Sequence, residues 1–370
     1  MATCRFCGQL PPPGKRSGRL FASAPCAQSE ATLTHWLSHR GIPSKRTNSG
    51  LLRFEVTTEL MAEFCFAAES LFGGDAMPEV KLTIADLDVF ELNHRDILKM
   101  ESANQFVGRL NGEWLINRLR EGHLENAFHP MVNPQTGEIE AYECLMRAVL
   151  SDGRVKTPAE MIATARAAGL MLQLDRVARV SAIHNAAKKN ISETVFVNFN
   201  PSTTCDPKVC LQSTVAAARE AGIHPSRIVF EVTESEFVTD ANHLKLVLDF
   251  YRSEGFRIAL DDLGSGYSSL NLLTELRPDF VKLDMALIRN IDLDRYKQHV
   301  TGSLLDMANC LGVRTVVEGV ETAGEWDWAA NHGADMIQGY FFARPAFSPP
   351  VGPDFATWSN RPFAAVRATA

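Results

Sequence analysis

The sequence predicts a (β/α)₈ barrel preceded by a small α+β module, and three observations carry that reading. From Leu124 onward, apolar strand-like runs alternate with helical stretches, the pattern of a parallel α/β fold. Eight such runs fall within roughly 220 residues, which matches a closed barrel in count and length. Strand after strand then ends on an acid, an amide or an amine, as the working rim of a barrel enzyme does. A doubly wound open sheet is the alternative, because periodicity alone does not show closure.

In chain order, residues 1–50 are rich in Pro, Gly and Ser and show no clear period. They read as a basic arm, with seven Lys/Arg against the single acid Glu30, while residues 51–370 sum to −13 in a chain of net −7. Such an arm suits a nucleic-acid or acidic partner, or is simply solvated. It holds Cys4-Arg-Phe-Cys7-Gly8, with Cys26, His35 and His39 downstream. Two thiolates on one tight turn can share a tetrahedral ion, so Cys4, Cys7, Cys26 and His39 (or His35) are candidate ligands of a structural Zn²⁺; an incidental pair is the alternative. Residues 51–100 read as a small α+β module: a strand over Leu51–Val56, an amphipathic helix over Thr58–Phe72, a break at Gly73-Gly74 and a strand over Val80–Ile84. Asp86–Leu98 suits another strand or a short helix. Residues 101–121 read as one connecting helix, with Phe106, Leu110, Trp114, Leu115 and Leu119 on one stripe.

The barrel strands are expected at Glu125–Met131, Ile139–Met146, Thr194–Phe199, Arg227–Val232, Phe256–Asp261, Phe280–Leu283, Arg314–Val317 and Met336–Tyr340. Helices fit between most of them, at Pro158–Ala168, Leu174–Lys188, Val209–Ala221, Ala241–Glu254, Arg295–Leu311 and Ala323–His332. Residues 351–370 read as a loose tail. No apolar run approaches the ~20 residues that span a bilayer, and the N-terminus has no secretory apolar core, so no membrane partner and a cytoplasmic location are expected. Eight cysteines in 370 residues do not make a disulfide framework.

The polar residues at the strand ends are Glu143, Asn198, Glu231 (then Glu234), Asp261-Asp262, Lys282 (then Asp284), Glu318 (then Glu321) and Gln338. Unpaired carboxylates gathered on one rim would repel one another severely. Divalent cations resolve that, and an oxygen donor set selects Mg²⁺ or Mn²⁺ over zinc. Strand-end acids also cap helices, which accounts for one or two of them and not for the series.

The motifs around these positions resemble those of the EAL family of cyclic di-GMP phosphodiesterases. Ala141-Tyr-Glu-Cys-Leu-Met-Arg147 is similar to the signature that names the family, with cysteine in place of alanine. Six further stretches agree in order: Val197-Asn-Phe-Asn-Pro201, Phe230-Glu-Val-Thr-Glu-Ser235, Asp261-Asp-Leu-Gly-Ser-Gly-Tyr-Ser-Ser269, Asp279-Phe-Val-Lys-Leu-Asp284, Val317-Glu-Gly-Val-Glu321, and Gln338-Gly-Tyr340 with Arg344-Pro345. The resemblance covers residues ~122–347, in a domain bounded at 122–350, and implies a TIM-like barrel whose first strand is antiparallel. It implies two Mg²⁺ or Mn²⁺ ions and hydrolysis of cyclic di-GMP to linear pGpG. By residue-wise carry-over, Glu143, Asn198, Glu231 and Asp261 would hold one ion, and Asp261, Asp262 and Glu318 the other. Lys282 would position or activate water, with its ammonium disfavoured beside two metals, and Gln338 would support the water. Glu234 would tie down the loop after Asp262, Arg147 would meet a substrate phosphate, and Glu321 is carried with the substrate-binding set. A homodimer through the barrel is the family's usual assembly. A catalytically silent cyclic di-GMP receptor or protein-binding regulator on the same barrel is the alternative function. Cys144 should be a packing residue, since it points away from the face of Glu143.

Overall fold

The computed structural model describes residues 8–12, 14–73, 77–233, 241–264 and 269–352. The chain divides into two compact units, one of Gln9–Glu121 with Ala159–Leu174, the other of the remaining residues.

The first unit is built on a five-stranded antiparallel sheet. Its strands are β1 (Gly18–Ser23), β2 (Ser44–Arg46), β3 (Leu52–Val56), β4 (Lys81–Ala85) and β5 (Glu101–Ser102), in the spatial order β2-β3-β1-β4-β5. Helices α1 (Ala27–Ser38) and α2 (Thr58–Phe72) complete a β-α-β-β-α-β series, the ferredoxin-like arrangement. Leu33, Trp36 and Leu37 of α1 and Met61, Phe64 and Ala68 of α2 form one core with Leu20, Phe54, Val56 and Leu82 of the sheet. Thr57 starts α2 by accepting a hydrogen bond from the Leu60 N–H, and Gly73, at φ 74°, follows its last turn.

This arrangement corrects the reading of residues 1–50 as an arm. Strand β1 lies in the middle of the sheet, paired with β3 through Gly18↔Val56 and with β4 through Arg19↔Ala85. The basic side chains there are spent on the unit's own acids: Lys15 on Asp86, Arg16 on Glu113, Arg19 on Glu55, Arg40 on Glu63 and Arg46 on Glu30. Five of the seven Lys/Arg of residues 1–50 are thus paired with acids of the same unit. The zinc set fails on helix geometry. Cys26 is the N-cap of α1 and His39 its C-cap, and thirteen residues of helix at 1.5 Å each hold them ~20 Å apart. Cys4 and Cys7 lie outside the described residues.

The single connecting helix expected over 101–121 is two, α4 (Ala103–Asn111) and α5 (Glu113–Glu121), separated at Gly112. Between β4 and β5 lies the short helix α3 (His94–Ile97). Helix α4 belongs to the core of this unit through Phe106 and Leu110. It also packs on α6 (Pro158–Ala168), so the boundary between the units does not fall cleanly at residue 122. The packing is close enough that a Cβ on Gly108 would stand 2.4 Å from the Ala167 carbonyl oxygen.

The second unit is a closed barrel. Its strands are β6 (Glu125–Val132), β7 (Ile139–Val149), β9 (Thr194–Asn198), β10 (Ile228–Thr233), β11 (Arg257–Leu263), β12 (Phe280–Leu283), β13 (Arg314–Val317) and β14 (Met336–Gln338), with the short β8 (Val155–Lys156) paired to the end of β7. The spatial order is β6-β14-β13-β12-β11-β10-β9-β7, and pairing of β6 with β7 closes the ring. Strand β6 is antiparallel to both neighbours and the other neighbouring pairs in the ring are parallel, as the resemblance implied. The barrel is stoppered by one inward side chain from each strand: Met131, Ala141, Phe196, Val229, Ala259, Phe280, Val316 and Met336. The intervening residues point outward and pack under helices α7 (Met171–Lys188), α8 (Pro207–Cys210), α9 (Gln212–Glu220), α10 (Ala241–Ser253), α11 (Ser269–Leu276), α12 (Met285–Ile288), α13 (Arg295–Leu311) and α14 (Ala323–Asn331). Cys144 is one of these outward residues and is buried, as expected.

Gly108 sets two effects against each other. Alanine there would gain up to about 1 kcal/mol of helix propensity. Its methyl would also press on the backbone of Ala167, and overpacking costs about 1–3 kcal/mol. Gly108→Ala should therefore lower the melting temperature of the full-length protein. A rise would show that α4 and α6 do not pack this closely.

Candidate active site

Along a strand, side chains two residues apart share a face. Two residues beyond the apolar layer, toward one mouth of the barrel, each strand presents a polar side chain. On the seven parallel strands these are Glu143, Asn198, Glu231, Asp261, Lys282, Glu318 and Gln338. Strand β6 runs the other way, so its member stands two residues before Met131 and is His129, the register partner of Glu143. Seven of the eight were legible as strand-end residues. His129 was not, because only the direction of β6 places it there.

At the centre of the ring is Lys282, fully buried. Its ammonium lies 2.6 Å from Glu318 Oε1, 2.7 Å from Glu231 Oε1, 3.0 Å from Asp261 Oδ1 and 4.0 Å from Glu143 Oε2. Two amides fix the Glu143 carboxylate: Asn198 Nδ2 donates to Oε1 at 3.0 Å and Gln338 Nε2 to Oε2 at 2.9 Å. Glu231 Oε2 is buried and has no hydrogen-bond donor among the described residues.

Asp262 needs a backbone device to join this set, since its neighbour Asp261 already faces inward. The pairing of β11 with β12 shifts register between Leu260 and Leu263, and Asp262 takes a left-handed φ of 58°. As a result Asp261, Asp262 and Glu318 each bring a carboxylate oxygen within 4.8 Å of the others. The Asp262 N–H donates back to Asp261 Oδ1 at 3.0 Å.

One ammonium does not balance five carboxylates. Burial pushes the Glu318 carboxyl up to about 8 and Glu231 well above the usual range, with the neighbouring acids adding to it and Lys282 opposing. Asp262 is raised by burial and then by Asp261. Burial alone would depress Lys282, but Asp261, Glu143, Glu231 and Glu318 outweigh it and hold the ammonium well above the ordinary lysine value. That direction is opposite to the one expected beside two metals, because here the acids are balanced by the lysine alone. Burial also pushes His129 down to about 4, so its ring is neutral at neutral pH, and its Nε2 has no partner among the described residues. An unpartnered buried carboxylate oxygen, a tight acidic triad and raised carboxyl pKa values all fit an all-oxygen site for divalent cations.

The remaining expected residues sit further out. Arg147 is on β7, on the same face as Glu143, and its Nη1 donates to the Met146 carbonyl at 2.9 Å. The Glu321 carboxylate is taken by Arg289 at 2.8 Å and does not join the Lys282 cluster. Glu234 lies outside the described residues. Beyond Gln338, Tyr340 stands 5.9 Å from the His129 ring and has the Arg344 guanidinium 4.2 Å over its face.

The EAL domain model matches residues 113–345. Among curated relatives, the probable cyclic di-GMP phosphodiesterase PdeG of Escherichia coli is 30% identical over 240 residues, covering 63% of this chain and 46% of that protein. The chain spans less than half the length of this relative and of two further curated proteins that it matches. Among solved structures, a standalone EAL protein from Vibrio cholerae in its c-di-GMP-bound form has a TM-score of 0.57 at 35% identity, covering 63% of this chain and 97% of that one. The manganese and c-di-GMP complex of Klebsiella pneumoniae BlrP1 has a TM-score of 0.56 at 25% identity, and its likeness covers 89% of this chain and 96% of that one. A family match over most of the chain, on a barrel that gathers the family's motif residues around one lysine, makes this chain a member of the EAL-domain family.

Proposed function

We propose that this protein hydrolyses cyclic di-GMP to linear pGpG in a metal-dependent reaction. The observation that carries the reading is the intact set Glu143, Asn198, Glu231, Asp261, Asp262, Lys282, Glu318 and Gln338 around one barrel mouth. Two divalent ions such as Mg²⁺ or Mn²⁺, held by Glu143, Asn198, Glu231 and Asp261 and by Asp261, Asp262 and Glu318, would acidify a water and neutralise the phosphodiester.

The chain's own groups supply the rest. Asn198 and Gln338 hold both Glu143 oxygens, so that carboxylate is preset. With cations held by the acids, Lys282 would be free to hold the attacking water or a phosphate oxygen. A dianionic substrate is repelled by the bare acidic ring and accepted once cations reverse its sign. Arg147, on the face of Glu143, would meet a phosphate as the substrate approaches. The neutral His129 offers its free Nε2 to substrate or water at the same mouth. Leu293 and Tyr296, each 81% exposed, give the proposed homodimer apolar surface to bury.

The direct test is turnover of cyclic di-GMP by the full-length protein with Mg²⁺ or Mn²⁺, beside binding of the same ligand in chelator. Metal-dependent release of pGpG is expected; saturable binding with no turnover at any metal concentration would make the protein a receptor instead. The variants separate ligand from water-holding group. Asp261→Asn should lose metal affinity and activity together and recover partly at high Mn²⁺. Lys282→Ala, checked to be folded in the presence of metal, should lose at least ~10²-fold in turnover with no rescue by added metal. Metal rescue of Lys282→Ala would show the two roles to be misassigned.

The raised carboxyls also predict how stability depends on pH. A carboxyl whose pKa is higher in the folded than in the unfolded chain, where it is ~4.3 for Glu, stabilises the fold while protonated and stops doing so as pH rises through its folded value. For Glu318 that window runs from about pH 4 to about 8. In chelator, the melting temperature should therefore fall as pH rises toward 8. Saturating Mg²⁺ should flatten the fall, because the cations bind the ionised acids. A melting temperature in chelator that does not change across this window would contradict the buried-acid account.

A further inference from the structure

The mouth of the barrel opposite the acidic ring presents a pair of arginines. Two residues before the apolar layer, β11 and β13 begin with Arg257 and Arg314, and both guanidiniums lie over the ring of Phe280, at 5.0 and 5.6 Å from its centroid. A cavity of ≈ 680 Å³ opens here, lined by these arginines, by Arg277, and by the apolar walls Leu273, Pro278 and Leu311. Its volume is within the ~300–1,000 Å³ range of small-molecule sites. A neighbouring cavity of ≈ 470 Å³ shares Arg277 and adds Lys245 and Arg252.

Three acids stand nearby: Asp279 lines the cavity and pulls on Arg257, Asp335 lies 3.9 Å from Arg314, and Glu140 is the third. Glu140 holds Arg314 at 2.6 Å, and Asp279 accepts the Ile258 N–H at 2.8 Å. Arg257 gives one Nη2–H bond to Thr194 Oγ1 at 3.1 Å, and its buried Nε has no partner among the described residues. Arg277 is exposed at the edge of the cavity, where its guanidinium is solvated. Arg277 also sits at φ 44° just after α11, a place where glycine is the usual residue. Burial, and after it the Arg314 charge, disfavour the Arg257 guanidinium against the pull of Asp279. Two guanidiniums that line one cavity, one with a buried unpartnered Nε and one open to solvent, suit an anion with several acceptor oxygens.

We propose that this cavity binds a phosphate monoester, with Arg257 and Arg277 taking the phosphate oxygens and the apolar walls taking the organic body. The site is separate from the acidic ring, because it lies at the amino ends of the parallel strands.

The probes are inorganic phosphate and 5′-AMP, titrated calorimetrically into full-length protein in chelator at constant ionic strength, so that no active-site metal recruits phosphate. Saturable binding is expected, tighter for 5′-AMP if the organic body contributes and equal for the two if free phosphate is the occupant. Arg277→Gly, which removes the guanidinium and relaxes the left-handed backbone, should keep the fold and weaken binding at least ~10-fold. Arg257→Lys, which keeps the charge but loses the fork, should weaken it as well. Glu318→Gln, in the acidic ring, should leave it unchanged. Absence of saturable binding, wild-type binding by Arg277→Gly, or loss of binding in Glu318→Gln would each overturn the proposal.

Discussion

The period of two along a β-strand is the constraint on which the rest of the barrel depends. It places one apolar side chain per strand in a layer that stoppers the interior, and one polar side chain per strand in the ring above it. Closure fixes the ring's membership, since each strand can contribute only the residue its register allows. The ring's chemistry follows from burial. Five carboxylates brought to one mouth cannot all ionise beside a single ammonium, so the protein holds Lys282 charged and keeps Glu231 and Glu318 hard to ionise. This is a stable arrangement for the bare chain and a demanding one, because any cation that enters relieves it.

Two local devices adapt the regular barrel to that purpose. The register shift in β11 and the left-handed Asp262 turn two consecutive aspartates toward the same place, which a regular strand forbids. The antiparallel β6 brings a histidine into a ring of acids and amides. That histidine, His129, is neutral, and its Nε2 has no partner among the described residues.

Much of this was legible in the sequence because buried strands are short and sharply bounded. Phe280–Leu283 and Arg314–Val317 were read with their observed ends, and so was the helix Thr58–Phe72. The polar strand ends were visible because an acid, amide or amine directly after two or three buried apolar residues has no packing reason to be there. What escaped notice had physical reasons too. Strand β1 and helix α1 are bracketed by Pro, Gly and Ser, and their basic residues pair with acids far along the chain, so the segment resembled a solvated arm. His129 was hidden by strand direction, which periodicity does not encode. Glu321 follows Glu318 by one short loop, and only the structure shows its carboxylate turned to Arg289.

The central claim is that the acidic ring exists to hold a pair of divalent cations, with Lys282 as the stand-in charge when they are absent. The most direct measurement is the stoichiometry of Mn²⁺ on the full-length protein, read by electron paramagnetic resonance during a titration. The account predicts two ions per chain, close enough to couple magnetically, and the loss of one of them in Glu318→Gln. A wild-type protein that saturates at one uncoupled ion, or binds none, would contradict it.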